Sequence, residues 1–98
     1  MNNFFKGKTL VVSGGTRGIG RAIVYEFAKA GVNVAFTYNS NEELAKDIIK
    51  DLEQNYKIKA KAYPFNILEP ETYKELFDEI DKDFDRIDFF ISNAIISG

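Results

Sequence analysis

The sequence predicts an α/β protein built as a doubly wound parallel sheet, with strands in the order 3-2-1-4. Three observations predict it. Short apolar runs alternate with segments of helical period along the whole chain, with brief connections, which is the βαβαβαβ pattern of a parallel sheet wound by helices. Right-handed crossovers restrict the pairing, and building outward twice before returning once gives 3-2-1-4. The stretch "KIKAKAYPF" alternates lysine with apolar residues and holds a proline, as the edge strand of that order should.

Thr9–Ser13 reads as the first strand, opening into a glycine-rich turn. From Gly18 the period becomes helical, with Ile19, Ala22, Ile23, Phe27 and Ala30 as the expected apolar stripe and Gly31 as the stop. Val32–Tyr38 is the second strand. Asn39, Ser40 and Asn41 are cap candidates for a helix whose Glu42 and Glu43 suit a first turn, and Leu44, Ile48 and Leu52 follow at four-residue steps. Ile58–Phe65 is the third strand, and Glu69-Pro70 is expected to start a third helix. That helix carries the clearest stripe: Tyr73, Leu76, Phe77, Ile80 and Phe84. Ile87–Ser92 is the fourth strand. "IDFFIS" is apolar on both faces, which suits a strand with neighbours on each side, yet the order makes it an edge. Further strands are therefore expected to cover it, so that residues 1–98 form the first part of a larger domain.

Composition narrows the classes of function. The 98 residues are 45% hydrophobic and 29% charged, an ordinary globular balance. A net charge of -2 gives no general electrostatic case for nucleic acid or an anionic membrane. No apolar run could span a bilayer, no secretory signal is evident and cysteine is absent, so the expected location is cytoplasmic. Histidine is absent too, which leaves Tyr, Lys, Asp and Glu for any acid–base work.

The turn "SGGTRGIG" carries the functional signal. A glycine-rich turn fits two roles, the tight packing of helix on strand and the close approach of a ligand to backbone. Its context favours the second. The predicted sheet reverses order between the first and fourth strands, and ligands bind beyond the strand carboxyl ends at such a point. The helix opening near Gly18 aims its N–H groups and positive dipole end there, which suits a pyrophosphate.

Ser13-Gly14-x-x-x-Gly18-x-Gly20 resembles the T-G-x-x-x-G-x-G fingerprint of the short-chain dehydrogenase/reductase superfamily, with serine in the threonine position. Ser92-Asn93-Ala94-Ile95 resembles the N-N-A-G of the same superfamily, with serine for the first asparagine and isoleucine for the glycine. The resemblance implies a Rossmann-type fold with a nicotinamide cofactor. On that basis Gly14, Gly18 and Gly20 approach the pyrophosphate, with Ser13 and Thr16 in the same loop, and Ile19 lies beside the nicotinamide half. Asn66 and Ile67 would flank the adenine, and Asn93 and Ala94 would line the far side. An NAD-specific site presents a carboxylate at the end of the second strand. Tyr38 stands there instead, followed by Asn39 and Ser40, and Arg17 occupies a position where basic residues of the superfamily meet a 2′-phosphate. The cofactor implied is NADP(H).

Superfamily members transfer hydride with a Tyr-x-x-x-Lys pair and a serine, which follow the fourth and fifth strands and so fall beyond this sequence. Tyr25 and Lys29 match that spacing, but they sit in the first helix, about 10 Å along its axis from Gly18. They are expected to be surface or partly packed residues, and the chain alone is expected to be inactive. The stretch from Ser13 to Glu43 looks most like bacterial 3-oxoacyl-acyl-carrier-protein reductases, which implies an acyl substrate, free or carrier-linked. The enoyl reductase branch, which shares the fingerprint and relaxes N-N-A-G, is the alternative. A non-catalytic nucleotide-binding module is a second one. Family members assemble as dimers or tetramers through later helices, so that contact is not expected from these residues.

Overall fold

β1 (Thr9–Ser13) is buried along all of its residues, because it has a strand on either side and helices over both faces. The computed structural model describes residues 4–65 and 72–93. After β1 come α1 (Gly18–Lys29), β2 (Asn33–Tyr38), α2 (Glu42–Asn55), β3 (Ala60–Pro64), α3 (Tyr73–Phe84) and β4 (Phe89–Ser92). All pairings are parallel and the order is β3-β2-β1-β4, as the sequence predicts. Leu10 of β1 stands level with Val34 of β2 and Phe89 of β4.

Alternation along the strands divides the core in two. Leu10, Val12, Val34 and Phe36 face α1 and α2, meeting Val24, Ala28, Ala45, Ile48 and Leu52. Val11, Ala35 and Tyr63 face α3, meeting Leu76, Ile80 and Phe84. Full burial of a side chain such as Leu10 or Phe36 contributes about 1.5–3 kcal/mol.

Two expectations change at residue level. The buried line of α1 is Gly20, Val24 and Ala28, with Ile23 and Phe27 flanking it. Ala22 and Ala30 are exposed, and Ile19 is 72% exposed. Small residues at four-residue steps let α1 lie close to the sheet, and that contact outweighs the larger apolar side chains beside them. In α2 the buried line is Ala45, Ile48 and Leu52, with Leu44 only partly covered. The described part of the third helix runs from Tyr73, with Thr72 at the cap position but making no side-chain capping bond; Glu69 and Pro70 lie outside the described residues.

The two edge strands differ. β3 is tied to α3 by Tyr63, whose hydroxyl donates to the Asp83 carboxylate at 2.7 Å, and by the Lys61–Asp83 ion pair at 3.6 Å. Burial first, then the bond to Asp83, pushes the Tyr63 phenol well above its ordinary range. The same hydroxyl, helped by Lys61 and Lys59, holds the Asp83 carboxyl below the usual carboxylate range. β4 pairs with β1 alone among the described residues, and Phe90 is 48% exposed with its ring against Phe77.

Candidate functional site

The carboxyl ends of β2, β1 and β4 are stitched together by side chains. Thr37, the penultimate residue of β2, accepts the Gly14 N–H on its hydroxyl at 2.9 Å and the Gly15 N–H on its carbonyl at 3.1 Å. Ser13, the last residue of β1, accepts the Asn93 N–H on Oγ at 3.0 Å. The Asn93 side-chain amide then donates back to the Gly14 carbonyl, also at 3.0 Å. The Gly14 residue is therefore gripped on its N–H from β2 and on its C=O from beyond β4. It adopts a φ of +80°, where a side chain would crowd the following carbonyl.

Gly20 is where α1 closes on this loop. A Cβ there would stand 1.9 Å from the Gly14 carbonyl oxygen and 2.4 Å from Asn93 Nδ2. The space that a Gly20 side chain would fill is thus taken by the protein's own backbone. Gly18, by contrast, has a φ of +55° and open space where its Cβ would be.

The start of α1 is arranged unlike that of α2. Asn41 caps α2 by accepting the Leu44 N–H at 3.0 Å, and Glu42 and Glu43 occupy its first turn. α1 begins after Arg17, in extended conformation, with no side-chain cap and no acidic residue in the first turn. The leading amides of a helix have no acceptor within it, and its dipole places partial positive charge there. Between Thr9 and Tyr25 there is no carboxylate, while Arg17 and Arg21 add two cations. This combination suits an anion, and among the described residues no side chain caps those amides.

A groove of about 510 Å³ between α2 and β3 lies elsewhere and shares only Tyr38 with the site's expected residues. Its lining carries both charges, with Lys46 paired to Glu42 at 3.3 Å, so it lacks the bias toward anions found at α1.

Comparison with known proteins decides the family, since the model of the family described as short chain dehydrogenase matches residues 8–98. The chain belongs to the short-chain dehydrogenase family. Among curated relatives, sorbose reductase SOU1 of Candida albicans is 44% identical over 89 residues, covering 91% of this chain and 31% of that protein. The 3-oxoacyl-[acyl-carrier-protein] reductase FabG of Aquifex aeolicus is 39% identical over 92 residues, covering 94% of this chain and 37% of its own. A short chain dehydrogenase from Burkholderia cenocepacia, solved in complex with NADP, superposes with a TM-score of 0.88 at 32% identity, covering 94% of this chain and 37% of that one. This short-chain dehydrogenase sequence thus spans about a third of the length of the curated relatives it matches.

The structure brings Ser13, Gly14, Thr16, Arg17, Gly18, Ile19, Gly20 and Asn93 together around the start of α1. Thr16 is buried, whereas Arg17, Gly18 and Ile19 are exposed. Tyr38, Asn39 and Ser40 follow Thr37, so the same stitches anchor their segment to the glycine loop. Of the three cap candidates Asn41 does the capping, which leaves the exposed Asn39 and Ser40 side chains outside that role. Asn66, Ile67 and Ala94 lie outside the described residues.

Tyr25 does not face the site. Its hydroxyl donates to the Asp51 carboxylate of α2 at 2.7 Å, with the Arg21 guanidinium 5.8 Å from its ring centre. Burial, and then the Asp51 bond, raises the Tyr25 pKa, the opposite of what a proton-donating catalytic phenol needs. Two residues of the site escape sequence reasoning. Gly15 is required because a Cβ there would come within 2.6 Å of the Phe36 Cβ. Thr37 reads in the sequence as one more β-branched strand residue, and only its fold partner reveals the hydroxyl's use.

Proposed function

We propose that this chain supplies the dinucleotide-binding part of an NADP(H)-dependent oxidoreductase that reduces a carbonyl compound. The observation that carries the reading is the uncapped, carboxylate-free start of α1, bordered by a loop whose backbone is fixed and whose Gly18 side is open. The pyrophosphate would take the leading amides of α1, and the exposed Ile19 would line the nicotinamide half. Arg17 on one side, with Tyr38, Asn39 and Ser40 on the other, would meet the 2′-phosphate. The absence of a carboxylate at Tyr38 removes the group that would repel that phosphate and select NAD. Bound NADPH supplies the hydride for the reduction. The residues here would hold and orient it, and the proton-donating groups would come from residues packed beside β4, which among the described residues pairs with β1 alone.

For the substrate, resemblance across Ser13 to Glu43 and the Aquifex relative support a 3-oxoacyl thioester. The Candida relative, named as a sorbose reductase, supports a ketose as the second reading. Isothermal titration tests the cofactor directly. NADPH is expected to bind at least tenfold more tightly than NADH, a free-energy difference of about 1.4 kcal/mol. Equal or reversed affinities would remove the NADP(H) assignment. NADPH oxidation by a protein of the relatives' full length, offered a 3-oxoacyl thioester, a 2-enoyl thioester or a ketose, sorts the substrate classes. Turnover of the enoyl thioester alone would overturn the carbonyl reading.

A further inference from the structure

We propose that Thr37 is a positioning residue for the cofactor: its hydroxyl latches the Gly14 peptide so that the first amides of α1 point at the pyrophosphate. Resting on the NADP(H) reading above, the inference adds a residue outside both sequence motifs.

Thr37 is 4% exposed and lies on the face of β2 turned toward α3, level with Tyr63 of β3. Strand pairing uses its backbone and its methyl group suits the pleat, but neither requires a hydroxyl. The Thr37 Oγ1 instead accepts the N–H of Gly14, a residue 23 positions away and held at a φ of +80°. A partly buried amide that loses its acceptor carries a cost, so this bond selects among the conformations open to a glycine. Asn93 holds the other end of the Gly14 residue through its carbonyl. That same carbonyl is the atom against which Gly20 packs, so the orientation of Gly14 sets how the first turn of α1 seats. The chain of contacts thus runs from the Thr37 hydroxyl to Gly14, to Gly20 and to the amides beside it. Without the latch, loop conformations that do not present those amides become populated, and apparent affinity falls by the fraction of competent molecules.

Thr37→Val and Thr37→Ser separate this role from packing. Valine keeps the methyl volume and removes the acceptor; serine keeps the acceptor and removes the methyl. The hydroxyl governs binding in this reading, so T37V should raise the dissociation constants of NADPH and NADH alike by about tenfold, while T37S stays within about twofold of the parent. Thermal stability need not follow that order, because T37S loses the buried methyl. Equal affinities for T37V and T37S, whether both high or both low, would overturn the proposal. A measurement on the unsubstituted protein without nucleotide covers a T37V chain that fails to fold. Amide exchange at Gly14 should be markedly slower than at Gly18 and Ile19, and exchange as fast as theirs would overturn the latch. Failure of the parent protein to bind NADPH would instead strike the NADP(H) reading and leave the Gly14 exchange result to judge the latch.

Discussion

Replacing Gly20 by alanine should be far more damaging than replacing Gly18, although both belong to the same fingerprint. The added Cβ at residue 20 would meet the Gly14 carbonyl oxygen at 1.9 Å and the Asn93 amide at 2.4 Å. A non-bonded contact needs about 3.4 Å, so α1 has to withdraw by more than about 1 Å or the loop must move. The atom in the way is backbone, already held by Asn93 and bordered by the Thr37 latch, and it cannot swing aside as a long side chain would. Overpacking costs about 1–3 kcal/mol and sometimes more, and loss of the Asn93–Gly14 bond adds about 1 kcal/mol. Better helix propensity returns at most about 1 kcal/mol. A contact as close as 1.9 Å places the overpacking at the upper end of that range, so the net loss is about 3 kcal/mol, which for a domain of this size lowers the melting temperature by roughly 12–24 °C. At residue 18 the Cβ enters open space, and the left-handed φ of +55° costs about 1 kcal/mol. Circular dichroism melts of G20A and G18A read the difference. A G20A protein melting within about 2 °C of the parent, or above G18A, would refute the close-approach reasoning.

Arg17→Ala should weaken NADPH about tenfold more than NADH, because the guanidinium is assigned to the 2′-phosphate; a uniform loss in calorimetric titration would assign it to the loop instead. The Tyr63–Asp83 pair should make stability fall at both ends of the pH scale. Asp83, with its pKa lowered in the fold, stabilises above its unfolded value and ceases to as pH drops below about 4. Tyr63, with its pKa raised, favours the fold while protonated and opposes it as pH climbs past about 10. Urea midpoints across pH should show both declines, and Y63F should reduce the alkaline one, of which Tyr25 keeps a share. Tyr25→Phe should leave NADPH affinity within about twofold of the parent while removing the α1–α2 bond to Asp51, at about 1 kcal/mol in a denaturation midpoint. Loss of cofactor binding in Y25F would mean that the phenol reaches the site after all.

The strand and helix order was legible because local signals agree with the fold. Short β-branched runs, caps such as Asn41 and the stop at Gly31 each act within a few residues. The alternating lysines leading into β3, of which Lys61 lies within it, marked an edge, and the glycine loop marked the site. What escaped the sequence depends on contacts that no local pattern encodes. The Gly20-Val24-Ala28 line is nearly invisible to hydrophobic periodicity, since glycine and alanine score weakly while the neighbouring Ile19 scores strongly. Yet Ile19 sits in the first turn, beyond the sheet, where its apolar surface remains open. Thr37 and Gly14 are 23 residues apart, and Asn93 and Gly14 are 79 apart, so their bonds exist only once the parallel order is in place. Gly15 shows the same limit, its missing side chain making room for Phe36 of β2. Tyr25 shows the reverse: a spacing that matched a catalytic pair belongs to a bridge between two helices.

The most direct test of the central claim is to follow backbone amide resonances while NADPH is added. If the anionic bridge of the dinucleotide rests on the opening turn of α1, the largest shifts will fall between Ser13 and Gly20, strongest at Gly18, Ile19 and Gly20. Shifts confined to the α2–β3 groove, around Lys46 and Lys61, with the glycine loop unchanged, would contradict it.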